Sequence, residues 1–501
     1  MDPRLQKLKE HLIEINDLKS ALAVLSWDQM TFMPTGGAEV RGRQMATLQR
    51  LSHEKFISPE LGRLLDELQP LPEELSPDSE TAALIKVTTR DYQKAIKIPP
   101  SFAAQFSAHT SNTYEAWARA RQERNFKIVE PLFEKTLEFS RAMANFYPGY
   151  QHIADPLIDE LDEGMTVGVI RPLFQKLRSE LAPLVQKITS QPGPDDSCLQ
   201  GHFCEAEQLE FGLEVAKSLG YDFYRGRQDK SPHPFTTSFA IDDVRITTRV
   251  REDFLAEALF STIHETGHAL YEQGINPNFD GTPLADGASL SLHESQSRLW
   301  ENIIGRSRYF WEYYYPRLQA FFPHQLKSVP LETFYRAINK VERSLIRTGA
   351  DEVTYNLHVM IRFDLETELL ESKLAVKDLP EAWDERYRKD LGITPPDAAV
   401  GVLQDMHWYS GTIGGYFQSY TLGNILSAQF YEAALQARPE ITAEIQAGNF
   451  SSLHGWLKDN IYRYGRQHPA AEVIKSTTGR ALEIRSYVNY LRTKYGEIYD
   501  L

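Results

Sequence analysis

Helical periodicity runs through most of this chain and constrains its fold more than any other feature. Apolar residues recur every three or four positions with charged residues on the opposite face, as in amphipathic helices that cover a core. The longest such segments are 5–26, 39–68, 102–146 and 168–189. Stretches rich in Pro, Gly, Asp and Ser interrupt the pattern at 69–78, 190–197 and 393–399. We therefore predict a mainly α fold that forms one large helical body.

The segment 233–250 has the alternating pattern of β-strands instead. Apolar and β-branched residues stand at every second position on both sides of Asp242 and Asp243. These positions are Phe235, Thr237, Phe239 and Ile241, then Val244, Ile246, Thr248 and Val250. The pattern predicts a two-stranded hairpin. Because an isolated hairpin is only marginally stable in water, we expect it to lie against helices, with room for another short strand.

The charge balance argues against one class of partner. The 501 residues include 54 Lys and Arg against 69 Asp and Glu, which gives a net charge of −15. Non-specific nucleic-acid binding depends on basic side chains that neutralise phosphates, so we expect no nucleic-acid partner. No apolar run approaches the ~18 residues that span a bilayer, so we expect no membrane association either.

Two features predict a cytoplasmic location. The N-terminal segment is charged throughout and lacks the apolar core of a secretory signal. Two cysteines, Cys198 and Cys204, flank His202. Since a structural zinc site usually needs four ligands in closely spaced pairs, we interpret the cysteines as free thiols in a reducing compartment.

A helix is predicted over 253–273, opened by Asp253 and followed by Gly274. Its sequence contains the H-E-x-x-H motif. His264 and His268 are four residues apart and project from the same face of the helix, where two neutral imidazoles can bind Zn²⁺. The alternative is a pair of histidines that only pack or face solvent.

Glu265, directly after the first of these histidines, is placed to contact water at the metal rather than the metal itself. A structural site that is closed by four ligands has no use for such a base. The motif therefore favours a catalytic metal centre. The alternative from another functional class is a helical peptide-binding protein whose metal is structural.

A third ligand is expected from the helix that follows. Glu294 lies 26 residues after His268, in the two-helix His₂Glu arrangement of the gluzincin metallopeptidases. The competing interpretation makes Ser291 and Glu294 a capping box, with His293 as the nearest substitute ligand. Arg298, four residues after Glu294, is predicted either to orient this carboxylate or to form a surface ion pair.

Several motifs together resemble the carboxypeptidase Taq family, thermostable metallocarboxypeptidases of the gluzincin type. The resemblance runs nearly end to end and in one order. The motifs are WDQMTFMP (27–34), HPF (233–235), DVRIT (243–247), HETGH (264–268), HESQ (293–296), IRTGAD (346–351) and GVLQDMHW (401–408).

The resemblance implies a single metallocarboxypeptidase domain over 1–501, with a deep active-site groove and a small hairpin or sheet beside the zinc helix. A helical part at about 1–190 would cover the groove, and a catalytic part would occupy about 198–501. It also implies a homodimer, Zn²⁺ or Co²⁺ as the metal, and peptide substrates. Single C-terminal residues would be released with broad specificity and poor action on C-terminal proline.

The implied mechanism assigns roles to individual residues. Glu265 acts as general base and then as general acid. His407 and Tyr416 are the candidates that stabilise the oxyanion, by analogy with the His and Tyr donors of related gluzincins. Tyr409 and Tyr420 are alternatives to Tyr416.

An exopeptidase must also bind the free C-terminal carboxylate, and a guanidinium is well suited to hold it with two hydrogen bonds. Arg347 in the IRTGAD motif is the leading candidate. Arg245 in the DVRIT motif competes with it, and Tyr420 is a further candidate for substrate binding. A structural ion pair is the alternative for both arginines.

Other specificities are possible on the same zinc centre. An oligoendopeptidase or a dipeptidyl carboxypeptidase of the related helical gluzincins is the nearest alternative to a carboxypeptidase. A peptide with an amidated C-terminus distinguishes them, because an endopeptidase would lose little activity on it.

Overall fold

A computed structural model describes residues 2–76 and 78–501. Most of these residues are helical, which confirms the mainly α prediction. The first helices in chain order are α1 (Pro3–Thr31), α2 (Ala38–Phe56), α3 (Pro59–Leu68), α4 (Leu71–Glu74), α5 (Glu80–Ala95), α6 (Pro100–Gln122), α7 (Glu130–Asn145), α8 (Asp155–Asp159), α9 (Val167–Thr189), α10 (Glu205–Leu219), α11 (Leu255–Gly274) and α12 (Leu290–Arg298). The others are α13 (Arg308–Phe321), α14 (Pro323–Leu326), α15 (Leu331–Ile338), α16 (Tyr355–Leu370), α17 (Leu379–Leu391), α18 (His407–Ser410), α19 (Gln418–Ala437), α20 (Ile441–Gln446), α21 (Ser451–Asn460), α22 (Ala470–Thr478) and α23 (Arg485–Ile498).

The predicted hairpin is present and is part of a small sheet. The strands are β1 (Gln228–Lys230), β2 (Thr236–Ala240) and β3 (Asp243–Thr248), in the order β1-β3-β2. β2 and β3 are antiparallel and pair Thr236 with Ile246, while β1 adds to β3 in parallel. The sheet packs against α11, so the hairpin lies beside the H-E-x-x-H helix as predicted.

The chain divides into two compact units. The first comprises Met1–Ile96, Asp195–Ile338 and Ser427–Leu482. The second comprises Lys97–Pro194, Asn339–Leu426 and Glu483–Leu501. The sheet and α11 belong to the first unit, whereas the IRTGAD and GVLQDMHW motifs belong to the second. The organisation predicted from the sequence, one domain with parts at about 1–190 and 198–501, stays a prediction.

Two of the predicted helical segments are each divided in two. The segment 39–68 breaks between α2 and α3, where Ser58 caps α3 by accepting a hydrogen bond from Leu61 N at 3.3 Å. Pro59 follows as the first residue of α3, a position that tolerates its missing N–H. The segment 102–146 breaks between α6 and α7, where Arg124 has a φ of 54° that no α-helix allows.

In the first unit, α1 is bound to the sheet and α2 is mostly exposed. The Ser20 hydroxyl of α1 donates to Phe239 O at 2.7 Å, and Trp27 near its end is buried. In α2, Ser52 is the one buried residue among those described, and Val40 and Leu51 are exposed. α2 is therefore held mainly by its packing against α1.

Among the helices of residues 2–76 and 78–501, none is both long enough and apolar enough to cross a membrane.

Candidate metal centre and catalytic residues

The H-E-x-x-H helix α11 begins at Leu255, with Phe254 in the N-cap position. The predicted opening by Asp253 is wrong, because its carboxylate pairs with the Arg251 guanidinium at 2.8 Å and does not cap the helix. The helix ends at Gly274, one residue beyond the predicted range 253–273. Nearly every side of α11 is buried, which fixes the direction of its side chains.

Helix α12, which carries Glu294, is capped by Ser289, whose hydroxyl accepts a hydrogen bond from Leu292 N at 3.1 Å. The capping box of Ser291 and Glu294 is therefore absent from α12, and Glu294 projects from the second turn. Gly267 lets α11 and α12 approach closely, because a Cβ there would lie 2.7 Å from Gln296 O. This close approach brings Glu294 to the two histidines.

His264, His268 and Glu294 form a cluster whose ligand atoms all lie within 4.8 Å of one another. Glu294 Oε2 is 3.2 Å from His268 Nε2 and 3.8 Å from His264 Nε2. These are the donor types that catalytic zinc sites use, two imidazoles and one carboxylate, so the residues fit a metal ion. Within residues 2–76 and 78–501, no other cluster of this kind occurs.

The remaining nitrogens of the two histidines face protein partners. His264 Nδ1 is 2.8 Å from Glu301 Oε2, and His268 Nδ1 is 2.6 Å from Nδ1 of His293. Hydrogen bonds of this kind fix the tautomer that leaves Nε2 unprotonated for a metal. His293, which the sequence offered as the substitute third ligand, thus contacts His268 through its own ring.

The carboxylate of the cluster is held in its charged form. Burial alone would raise the pKa of Glu294, but Arg298 and the two histidines hold it well below its usual range. Arg298 Nε donates to Glu294 Oε1 at 2.7 Å from a largely buried position. Of the two roles considered for Arg298, it orients the carboxylate. Burial lowers the pKa of His268 to about 3, which keeps this imidazole neutral.

Glu301 has no role in the sequence prediction, although it lies seven residues after Glu294 on the same helical face. It belongs to a π-helical turn, Leu299–Ile304, that continues α12. Burial alone would raise the pKa of Glu301, but the charge of Arg298 and the hydrogen bond with His264 lower it to about 2. The seven-residue spacing was the signal that could have identified it.

Glu265 is buried, with 6% of its surface exposed. Its Oε2 accepts a hydrogen bond from the Thr236 hydroxyl of strand β2 at 2.7 Å, and the same hydroxyl lies 2.9 Å from Glu265 O. Burial raises the pKa of this carboxyl group. Thr236 was not predicted from the sequence, because its contact depends on the packing of the sheet against α11.

Arg347 lies in the second unit and is 4% exposed. Its Nη2 donates to Asp405 Oδ1 at 2.7 Å, and its Nη1 donates to the Tyr355 hydroxyl at 2.9 Å. Asp405 also accepts from Arg362 Nε at 2.5 Å. Two guanidinium groups therefore share one carboxylate, which leaves a net charge of +1 on these three side chains.

The predicted oxyanion residues form a second group in this unit. His407 Nε2 lies 3.2 Å from the Tyr420 hydroxyl, and the rings of His407 and Tyr416 are 5.1 Å apart. Tyr416 is 38% exposed. Tyr409, by contrast, is fully buried and donates its hydroxyl to Val402 O at 3.1 Å, so it is a packed ring with a satisfied hydroxyl.

The loop that carries Tyr416 has a conformation that requires glycine. Gly415 has a φ of 95°, and a Cβ there would lie 2.3 Å from Leu157 O. Ile413 N donates to the Ser140 hydroxyl at 2.8 Å and fixes the start of the loop. The backbone of this loop therefore fixes the position from which the Tyr416 side chain projects.

Arg245 belongs to strand β3 of the first unit. Its Nε and Nη2 each donate to Asp243 at 2.8 Å. The guanidinium also lies 4.5 Å from the centre of the Trp27 ring and 4.8 Å from that of Phe239. These contacts bind α1 to the sheet.

Residues 7–495 match the Carboxypeptidase Taq (M32) metallopeptidase family. Carboxypeptidase 1 of Bacillus subtilis is 37% identical over 98% of this chain and 97% of its own. Thermostable carboxypeptidase 1 of Thermus thermophilus is 38% identical over 99% of this chain and 98% of its own. The crystal structure of the M32 carboxypeptidase from Deinococcus radiodurans is 47% identical, covers 100% of both chains and has a TM-score of 0.97.

The agreement covers sequence, family and three-dimensional structure over nearly the whole chain, and the described metal-ligand cluster is the kind that a metallopeptidase needs. The chain therefore belongs to the carboxypeptidase Taq (M32) family and is a metal-dependent carboxypeptidase.

Proposed function

We propose that this protein is a zinc carboxypeptidase that releases single C-terminal residues from peptides, with broad specificity and poor action on C-terminal proline. The observation that carries the proposal is the cluster of His264, His268 and Glu294 with Glu265 buried beside it. The broad specificity and the poor action on C-terminal proline are inferred from the family resemblance.

His264 and His268 would hold the metal through their Nε2 atoms and Glu294 through its carboxylate. The donor set supports Zn²⁺, with Co²⁺ as a second possibility, because neutral imidazoles and a carboxylate suit both ions. When bound, the metal supplies a Lewis acid that lowers the pKa of water towards 7 and polarises the scissile carbonyl.

Glu265 is the proposed general base. Its carboxylate takes a proton from the attacking water and passes it to the departing amine as the peptide bond breaks. The Thr236 hydroxyl, which donates to Oε2, would keep the carboxylate in one rotamer during both transfers.

His407 and Tyr416 are proposed to donate hydrogen bonds to the oxyanion, which stabilise it more strongly than they stabilise the planar amide. The exposed ring of Tyr416 supports this role. Tyr420 is the proposed alternative and a substrate contact, since its hydroxyl neighbours His407.

Arg347 is the proposed anchor for the C-terminal carboxylate. The net charge of +1 on Arg347, Arg362 and Asp405 supports the binding of an anion there. Arg245 stays the competing candidate. Its guanidinium holds Asp243 with two hydrogen bonds, just as the guanidinium of Arg347 holds Asp405.

We further propose one catalytic domain over 1–501, a homodimer and a cytoplasmic location. The dimer follows from the family resemblance alone. Free thiols at Cys198 and Cys204 support a reducing compartment.

The decisive experiment is hydrolysis of an N-blocked peptide ladder followed by mass spectrometry. Wild type and Glu265→Ala are compared with and without chelator, on free and amidated C-termini. We expect sequential loss of single C-terminal residues that the mutation, chelation and amidation each abolish. Internal cuts that amidation does not affect would indicate an endopeptidase. Release of dipeptides would indicate a dipeptidyl carboxypeptidase.

A further inference from the structure

The two motif histidines are supported in different ways behind the metal position. His264 Nδ1 contacts a carboxylate oxygen of Glu301, whereas His268 Nδ1 lies 2.6 Å from another imidazole nitrogen, Nδ1 of His293. The far nitrogen of His293, Nε2, lies 2.6 Å from Oε1 of Glu272. His268, His293 and Glu272 therefore form one hydrogen-bonded row between α11 and α12.

The direction of these hydrogen bonds follows from counting protons. The contact between the two Nδ1 atoms holds one proton, because one nitrogen must donate and the other accept. If His268 donates, its Nε2 keeps a lone pair for a metal, and His293 Nε2–H donates to Glu272. If His293 donated instead, neutral His268 would carry its proton on Nε2, which faces Glu294 at 3.2 Å, and would exclude a cation.

Packing keeps the His293 ring in this row. The ring stacks on those of His268 and Tyr271, with centroids 4.7 and 5.1 Å apart. A Cβ at Gly287 would lie 2.7 Å from His293 Cδ2, so the chain passes too close to the ring for any other residue without a shift. Glu272 is buried as well, which shields the last hydrogen bond of the row from water.

We propose that His293 and Glu272 are positioning residues for the metal. Glu272, acting through His293, keeps the proton of His268 on Nδ1 and so directs Nε2 towards the cation. The proposal rests on the metal site proposed at His264, His268 and Glu294. It adds two residues that do not contact the cation. His268 is supported through the imidazole of His293, whereas His264 is supported directly by the carboxylate of Glu301.

The test measures Zn²⁺ affinity of the full-length protein by competition with a chromophoric chelator, together with the visible spectrum of the Co²⁺-loaded form. We expect His293→Ala and Glu272→Leu, which removes the acceptor for His293 Nε2–H, each to weaken Zn²⁺ binding by about 10–100-fold. Both should also shift the Co²⁺ bands, because His268 then loses its fixed tautomer and ring orientation. His324→Ala, which removes an exposed histidine, should change neither quantity.

Thermal unfolding of the metal-free proteins separates positioning from folding. If His293→Ala fails to fold, Glu272→Leu decides, because it keeps much of the side-chain volume but offers no acceptor to His293. Wild-type affinity and spectrum in the folded variants would overturn the positioning role and leave the metal site intact. Zn²⁺ binding that survives in His264→Ala would instead overturn the metal site and the positioning role with it.

Discussion

Glu265 combines two properties that the role of general base requires. It is buried, which raises its pKa and strengthens its affinity for a proton. It is also oriented, because the Thr236 hydroxyl donates to Oε2. The Nδ1 atoms of His264 and His268 contact Glu301 and His293, so neither nitrogen forms a hydrogen bond with the Glu265 carboxylate.

Glu265→Gln should reduce kcat by about 10²–10⁴-fold, because the amide can accept the hydrogen bond from Thr236 but cannot take a proton. The bound metal, measured by elemental analysis, should stay at the wild-type level. Glu257→Gln makes the same chemical change in the first turn of α11 and should keep wild-type activity. Full activity in Glu265→Gln would remove it from the mechanism.

Arg347→Gln should lower kcat/KM on peptides with a free C-terminus by on the order of 10²-fold, the scale for truncating one partner of a buried charge pair. Cleavage of the matching amides, which is already minimal in wild type, should not fall further, so the ratio of activity on the free acid to activity on the amide decreases. Arg245→Gln is the matched comparison. If Arg245→Gln loses the preference and Arg347→Gln keeps it, the anchor is Arg245.

The cluster of His264, His268 and Glu294 could be predicted from the sequence because their spacing is local. His264 and His268 are one helical turn apart, and Glu294 stands near the N-terminus of the next predicted helix. Thr236 and Glu301 could not be predicted with the same ease. Thr236 reaches the site because the sheet packs against α11, and Glu301 because α12 continues into a π-helical turn.

The buried carboxyl group of Glu366 links α16 to α18 in the second unit. The indole Nε1 of Trp408 donates to Glu366 Oε1 at 2.6 Å. Burial raises the pKa of Glu366 to about 7, against the lowering effect of this hydrogen bond. Trp408 is the neighbour of His407, so the same contact supports the start of α18.

The raised pKa of Glu366 predicts a pH-dependent stability. Between about pH 4.5 and 7 the folded state keeps a proton that the unfolded state has lost, so the free energy of unfolding falls as pH rises and then levels off. Glu366→Gln cannot titrate, so it removes this loss. Between pH 5 and pH 8 its free energy of unfolding should therefore rise by roughly 2–3 kcal/mol relative to that of wild type. Denaturant titrations at both pH values measure it. Exposed Glu385→Gln should show no such gain.

Gly415→Ala should destabilise the protein by more than about 2 kcal/mol, because the new methyl group meets Leu157 O at a positive φ. If Tyr416 acts in the reaction, kcat should fall as its loop shifts. Gly36→Ala, where a Cβ meets nothing within 4 Å, is the control. Thermal unfolding and peptide hydrolysis of both variants provide the comparison, and equal unfolding temperatures would contradict the prediction.

Element types were easier to predict than element limits. The apolar pattern of 39–68 continues across Ser58 and Pro59 without a change of period, although a cap and a proline there start a new helix. The strand pattern was reliable because alternation on both sides of Asp242 and Asp243 leaves no helical alternative. β1, with three residues, is too short to show a period of its own.

Over the whole chain, each compact unit is assembled from segments that are distant in sequence. One boundary, between Pro194 and Asp195, falls within the Pro- and Gly-rich break at 190–197. Another, between Leu426 and Ser427, falls inside the long helix α19, where composition gives no sign of it. The division could therefore be predicted only in part from linear composition.

Metal binding should stabilise the folded chain, because the three ligands converge only in the folded state. At a free Zn²⁺ concentration 1,000 times the dissociation constant, the gain is about 4 kcal/mol. Calorimetry should show a higher unfolding temperature on Zn²⁺ addition, reversed by chelator. Glu294→Gln should show a smaller shift, and a shift equal to that of wild type would contradict the role of Glu294 as a ligand.

The exposed position of α2 has a consequence for how the chain opens in solution. A helix that packs mainly against one neighbour and whose described residues include a single buried one can separate while exposing little of the core, so its backbone amides are expected to exchange with deuterium through small local openings. Those of α11, enclosed on nearly every side, exchange only when much of the first unit unfolds. Hydrogen exchange should therefore show less protection in α2 than in α11, and a protease should cleave α2 before α11.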